Sequence, residues 1–171
     1  MHRRLFLTLT ASTLAWGRIA RAESFEITLT EAEWQARLTD LQFQVLREGS
    51  TEPSGSSPLD QEHRVGIFAC AGCALPLFSS AAKYDSGTGW PSFYQPLPRA
   101  VGTKPDPGLF GDRTEVHCRR CGGHLGHVFD DGPQPTGKRY CMNGGDRRDE
   151  DRLQEVVWAW DQIKDSRYFR E

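Results

Sequence analysis

Residues 118–129 read CRRCGGHLGHVF, a Cys-x-x-Cys turn followed by two glycines and then by His124, Leu125, His127, Val128 and Phe129. Such a turn points two thiolates at one spot, and a second one lies upstream at Cys70 and Cys73. Together they offer the four sulfurs of a tetrahedral zinc site. The pairs are more widely separated than in an ordinary zinc ribbon, so each knuckle belongs to its own hairpin and the metal clamps two halves of one domain. Two disulfides are the competing reading, open to a protein in an oxidising compartment. Short tight turns with glycine in or just after them favour one structural zinc per chain. A thioredoxin-type pair would need a βαβ pattern beside it, which is absent.

Around the knuckles, short apolar runs at residues 65–69, 114–117 and 127–129 alternate with Gly- and Pro-rich turns, which predicts short antiparallel strands and a mainly β fold. Thr30 with Glu33, and Thr39 with Gln42, each form a capping box before apolar residues, predicting two short helices that end at Gly49. Residues 52–60 read as a packed loop. At the far end, Leu153, Val156, Val157, Trp160 and Ile163 recur at spacings of three and four, the period of an amphipathic helix over residues 149–171 that packs on its own domain.

At 171 residues, with 37% hydrophobic and 26% charged residues, the chain suits one domain and excludes a multi-span membrane protein. Residues 1–22 read as a signal peptide: Arg3 and Arg4 precede a short apolar stretch, and Ala20-Arg21-Ala22 offers a cleavage site. The paired arginines and modest apolarity fit the twin-arginine export route, hence the bacterial periplasm. The apolar stretch is too short for a stable membrane span. Cleavage removes Arg3, Arg4, Arg18 and Arg21, leaving 17 basic against 23 acidic residues, a net charge of −6 that argues against nucleic acid as a partner.

Cys141 is the fifth cysteine and belongs to neither pair. It is either an inert buried thiol or a reactive one, and its neighbours favour the second. Arg139 and Asn143 flank it at two residues' distance, so a strand would project all three on one face. His124 and His127 supply imidazoles to move protons. His117, beside Cys118, reads as a surface residue, since four sulfurs already close a zinc site; His63 carries no signal.

In chain order, Cys70-x-x-Cys73, residues 84–93 (YDSGTGWPSF), Cys118-x-x-Cys121, residues 123–129 (GHLGHVF) and residues 139–143 (RYCMN) resemble the B-type peptide methionine sulfoxide reductases. The resemblance runs from about residue 29 to residue 143. It implies two small antiparallel sheets with a structural zinc held by Cys70, Cys73, Cys118 and Cys121, a reductase domain over residues 23–148, and reduction of free or peptide-bound methionine-R-sulfoxide. Within that reading Cys141 attacks the sulfoxide sulfur, and His124 and His127 protonate the departing oxygen. Asp131 and Asn143 orient them, Arg139 holds the thiolate, and Trp90, with Phe129, walls the substrate methyl group.

Two departures matter. Many family members carry a resolving cysteine where this chain has Thr88, so the Cys141 sulfenic acid must be returned to thiol by an external reductant, a thioredoxin-like protein or a small-molecule thiol. After Asn143 the family's short apolar strand gives way to a Gly-rich, charged stretch, so the floor under Cys141 must be rebuilt by another element, with the C-terminal helix as the candidate. A monomer is expected. The competing function is a zinc-stabilised ligand-binding module with little or no turnover.

Overall fold

A computed structural model describes residues 24–108 and 111–145. The expected signal segment at 1–22 and the expected helix at 149–171 lie outside the described residues. Both capping boxes form: Thr30 caps α1 (Glu31–Gln35) and Thr39 caps α2 (Asp40–Glu48), each hydroxyl accepting from the third residue's N–H while that residue's side chain accepts from the cap backbone. Gly49, at φ 71°, ends α2. Phe43, Val45 and Leu46 form the buried face of α2, which packs against the strand carrying the histidines. The loop that follows is anchored by buried Glu52 and Ser57 while most of its other residues are exposed, and it contains a 3-10 turn at Pro58–Gln61.

The strands are β1 (Ile67–Ala69), β2 (Pro76–Ser79), β3 (Lys83–Tyr84), β4 (Ser92–Phe93), β5 (Val101–Gly108), β6 (Gly111–Cys118), β7 (His124–Phe129) and β8 (Arg139–Met142). They make two antiparallel sheets, β1-β2 and β3-β4-β8-β7-β6-β5. Phe68 and Phe78 of the small sheet pack on Phe93 of the large one, with ring centroids 4.9 and 4.4 Å apart, and this aromatic cluster joins the two layers. β5 escaped the sequence reading because Pro105 and Pro107 interrupt it. It lies at the sheet edge, where the missing N–H groups leave no ladder bond unmade.

The two knuckles are built alike. The N–H four residues after the first cysteine donates to that cysteine's carbonyl, Ala74 to Cys70 at 2.8 Å and Gly122 to Cys118 at 2.9 Å. The first cysteine's N–H donates across the turn, Cys70 to Leu75 and Cys118 to Gly123. Both closures need positive φ, 56° at Ala74 and 69° at Gly122, which a glycine adopts without penalty and an alanine does not. Among the described residues no helix is long and apolar enough to cross a membrane.

His117 corrects the reading that put it at the surface. It is 1% exposed, its ring set edge-on to Phe25 with centroids 5.6 Å apart. The N-terminal segment, pinned by the Ile27 N–H to the Arg120 carbonyl, covers that face of β6.

Candidate active site

One row of side chains crosses all six strands of the large sheet. The register pairs Lys104 with Glu115, Glu115 with His127, His127 with Cys141, Cys141 with Ser92, and Ser92 with Tyr84. Strand partners share a face, so the row sets Cys141 between an imidazole and a hydroxyl. A bulge in the β6–β7 pairing, between Val116 and His117, turns His124 toward the same side: its Nδ1 lies 3.1 Å from Glu115 Oε1, and its ring is 5.3 Å from that of His127.

Each imidazole is held by a carboxylate from the β5–β6 hairpin, and each carboxylate by a cation from the same hairpin. His127 Nε2 lies 2.8 Å from Asp106 Oδ2, which also accepts from Arg113 at 2.9 Å. Glu115 bridges His124 and Lys104, the latter at 3.1 Å. Asp131 and Asn143, the residues expected to orient the imidazoles, bond elsewhere in this structure. Asp131 takes two bonds of 2.8 Å from Arg139, whose guanidinium lies 4.3 Å from the Phe129 ring centroid. β8 ends at Met142, one residue before alternation would carry Asn143 to the face of Cys141. The Asn143 amide instead accepts from the Glu52 N–H at 3.0 Å and donates to the Leu125 carbonyl at 3.1 Å.

Burial lowers the affinity of His124 for a proton despite its bond to Glu115, so the ring is neutral at neutral pH. A neutral ring facing Glu115 through Nδ1 carries its hydrogen there, which leaves the Nε2 lone pair bare. That Nε2 is buried and makes no hydrogen bond among the described residues. Cys141 also departs from expectation. Burial pushes its thiol above the ordinary range, outweighing the opposing pull of Thr88, Arg139 and Ser92. Arg139 acts in the expected direction but does not make the free protein's Cys141 a resting thiolate.

Gly126, at φ 151°, lies against β8 beside the thiol; a Cβ there would meet the Cys141 carbonyl oxygen at 2.1 Å. Gly126→Ala is therefore expected to push β8 off β7 and cost about 2–3 kcal/mol, measured by urea unfolding, with loss of the His127–Cys141 pairing.

Glu52 holds the chain that follows Asn143. It is 2% exposed, and its carboxylate accepts from the Gly144 and Gly145 N–H groups at 2.7 and 2.9 Å. Its carbonyl accepts from Trp90 Nε1 at 3.1 Å, so one residue fixes both the chain beyond Cys141 and the Trp90 ring. Glu52→Ala strands two inward-facing amides and is expected to destabilise by about 3 kcal/mol in thermal or denaturant unfolding.

The Cys70, Cys73, Cys118 and Cys121 sulfurs all lie within 4.8 Å of one another, with Cys70–Cys121 at 3.7 Å and Cys73–Cys118 at 3.5 Å. These are not disulfide lengths; all four are free thiols, which corrects the competing two-disulfide reading. They fit the edges of a tetrahedron with metal–sulfur bonds near 2.3 Å, roughly 3.8 Å. Contact with the Cys118 and Cys121 sulfurs pushes the Cys70 and Cys73 thiols far above their ordinary range, so four ionised sulfurs need a cation among them.

Fold and site thus define a small β protein with four cysteines placed to hold a metal ion and, apart from them, a single thiol beside two carboxylate-held imidazoles. Residues 38–146 match the SelR domain family. The chain is 46% identical over 121 residues to the peptide methionine sulfoxide reductase MsrB of Leptospira interrogans, covering 70% of this chain and 92% of that protein. To MsrB of Thiobacillus denitrificans it is 51% identical over 115 residues, 67% and 87% of the two chains. To the chloroplastic methionine sulfoxide reductase B1 of Arabidopsis thaliana it is 48% identical over 127 residues, 73% of this chain and 63% of the longer plant protein. The chain belongs to the MsrB family.

Proposed function

We propose that this protein reduces methionine-R-sulfoxide, free or in oxidised proteins, to methionine. The observation that carries the reading is the sheet row that seats Cys141, the one cysteine outside the metal set, directly across from His127. Cys141 Sγ attacks the sulfoxide sulfur while an imidazole takes the thiol proton and returns it to the sulfoxide oxygen. The protonated oxygen then passes from the methionine sulfur to Cys141 Sγ: a new Sγ–O bond forms, the substrate S–O bond and the transient S–S bond break, and methionine leaves with Cys141 as a sulfenic acid; the step consumes no outside proton. Two external thiols then reduce the sulfenic acid, giving Cys141 thiol, a disulfide and water. A neutral His124 with a bare Nε2 suits the proton-accepting half, and Glu115 favours the protonated His124 ring while the proton is in transit.

Trp90, held by Glu52, and Phe129, under Arg139, are the proposed walls for the S-methyl group. The four-sulfur site is proposed to hold zinc, which supplies a structural clamp between the β1–β2 hairpin and the β6–β7 turn and takes no part in the redox step. Export by the twin-arginine route rests on the sequence of residues 1–22, and action as a monomer on the single complete site. The raised Cys141 thiol favours a second reading, a ligand-binding module with little turnover. Separated sulfoxide epimers with excess dithiol distinguish the two: rapid methionine formation from the R epimer alone is expected, and no turnover of either epimer would leave the module.

A further inference from the structure

Three hydroxyls link up behind the thiol. Thr88 Oγ1 lies 4.0 Å from Cys141 Sγ, Ser86 Oγ lies 2.9 Å from Thr88 Oγ1, and Ser92 Oγ lies 2.7 Å from Ser86 Oγ. The chain ends at the Trp90 carbonyl, which accepts from Ser92 at 3.1 Å. Ser92 is fully buried and is the strand partner of Cys141. The loop carrying Thr88 is fixed from outside: the Ser54 hydroxyl donates to the Thr88 carbonyl at 2.8 Å, and the Gly55 N–H to the Gly89 carbonyl at 2.7 Å.

Each hydroxyl has one proton to give, and that constraint determines how the chain runs. With Cys141 as a thiol, its S–H donates to Thr88, Thr88 to Ser86, Ser86 to Ser92, and Ser92 to the Trp90 carbonyl; every donor has an acceptor. With Cys141 as a thiolate that order fails, because the sulfur has no proton and needs donors. Thr88 and Ser92 then turn their hydrogens to the sulfur, Ser86 donates to one of them, and the Trp90 carbonyl gives up its donor.

We propose that Ser86, Thr88 and Ser92 form a hydroxyl clasp that reverses its donor direction when Cys141 ionises, with Thr88 as a thiolate-holding catalytic residue and Ser86 as a positioning residue acting through it. The clasp deepens the reductase reading and rests on it only for the identity of the substrate. It offsets in part the burial that disfavours the thiolate, the same direction in which Thr88 and Ser92 pull the Cys141 thiol. The other titratable and charged groups around the sulfur are Arg139 on β8, His127 and His124 on β7, and Tyr84 on β3, all retained in the variants below.

The test is the pH profile of Cys141 alkylation by iodoacetamide in the metal-loaded protein, without sulfoxide, followed by mass spectrometry of the Cys141 peptide. Thr88→Val is expected to move the profile to higher pH and to slow alkylation at neutral pH about tenfold or more, the scale of one hydrogen bond to a charged sulfur. Thr88→Ser should restore the parent profile, and Ser86→Ala should shift it in the same direction by less. A Thr88→Val profile that superimposes on the parent, with metal content intact, overturns the clasp, and so does an unshifted Ser86→Ala profile should the Thr88 variant fail to fold. Shifted profiles in a protein that turns over neither epimer would leave the clasp standing and overturn the reductase reading.

Discussion

Replacing Cys141 with serine is expected to lower sulfoxide reduction by roughly 10⁴-fold or more while metal content and thermal unfolding stay at the parent values. A serine oxygen is held far more tightly by its proton than a thiol sulfur, and it cannot take up the sulfoxide oxygen and later release it to a thiol. The substitution leaves the fold alone, because Cys141 takes no part in the metal set and its backbone bonds to β4 and β7 are indifferent to the side-chain atom. Methionine release under excess dithiol measures the loss. Calorimetry on the same preparation separates that loss from unfolding, and an active serine variant would remove Cys141 from the chemistry.

Stripping the metal is expected to have the other large effect, this time on the fold. Cys70, Cys118 and Cys121 are almost completely buried, and the four sulfurs join the β1–β2 hairpin to the turn between β6 and β7. The helices are tied to the same centre through Arg47, which donates to the Cys121 carbonyl at 3.0 Å and lies over Trp34. Binding at structural four-cysteine sites is worth on the order of 10 kcal/mol, comparable with the whole stability of a domain this size. A strong chelator, or Cys118→Ser, should therefore abolish the cooperative thermal transition and expose all the remaining thiols to alkylation, whereas the loaded protein exposes Cys141 alone. Retention of a parent-like melt after complete metal removal would show that the aromatic cluster around Phe93 holds the sheets together unaided.

The two effects rest on parts of the molecule that differed in how plainly the sequence displayed them. Helix starts were legible because a capping box is local, with donor and acceptor three residues apart. The knuckles were legible because a Cys-x-x-Cys turn encodes its own geometry, and Cys141 because it was left over. The partners of the histidines were not legible. Asp106 reaches His127 from an edge strand broken by prolines, and Glu115 meets His124 only because of a bulge, so neither pairing leaves a trace in local spacing. Asp131, which the family resemblance points to, is bound instead by Arg139.

Glu52 was hidden for a related reason. A lone carboxylate in a Pro- and Ser-rich loop looks solvated until the loop is seen folded under Gly144 and Gly145, far away in the chain. The acidity of Cys141 depends on packing in the same way. Neighbours in sequence argued for a lowered thiol, while the packing of β4 and β7 on either side supplied the burial that raises it.

In this chemistry one sulfur accepts one oxygen and cannot pass it on within the chain. Mixing metal-loaded protein with methionine-R-sulfoxide in the absence of any thiol, then quenching with a sulfenic-acid trap, measures this directly. One methionine should form per chain and the trap should be attached at Cys141, with the metal-binding cysteines unmodified. Continued turnover without added thiol, or an intramolecular disulfide involving Cys141, would contradict this chemistry.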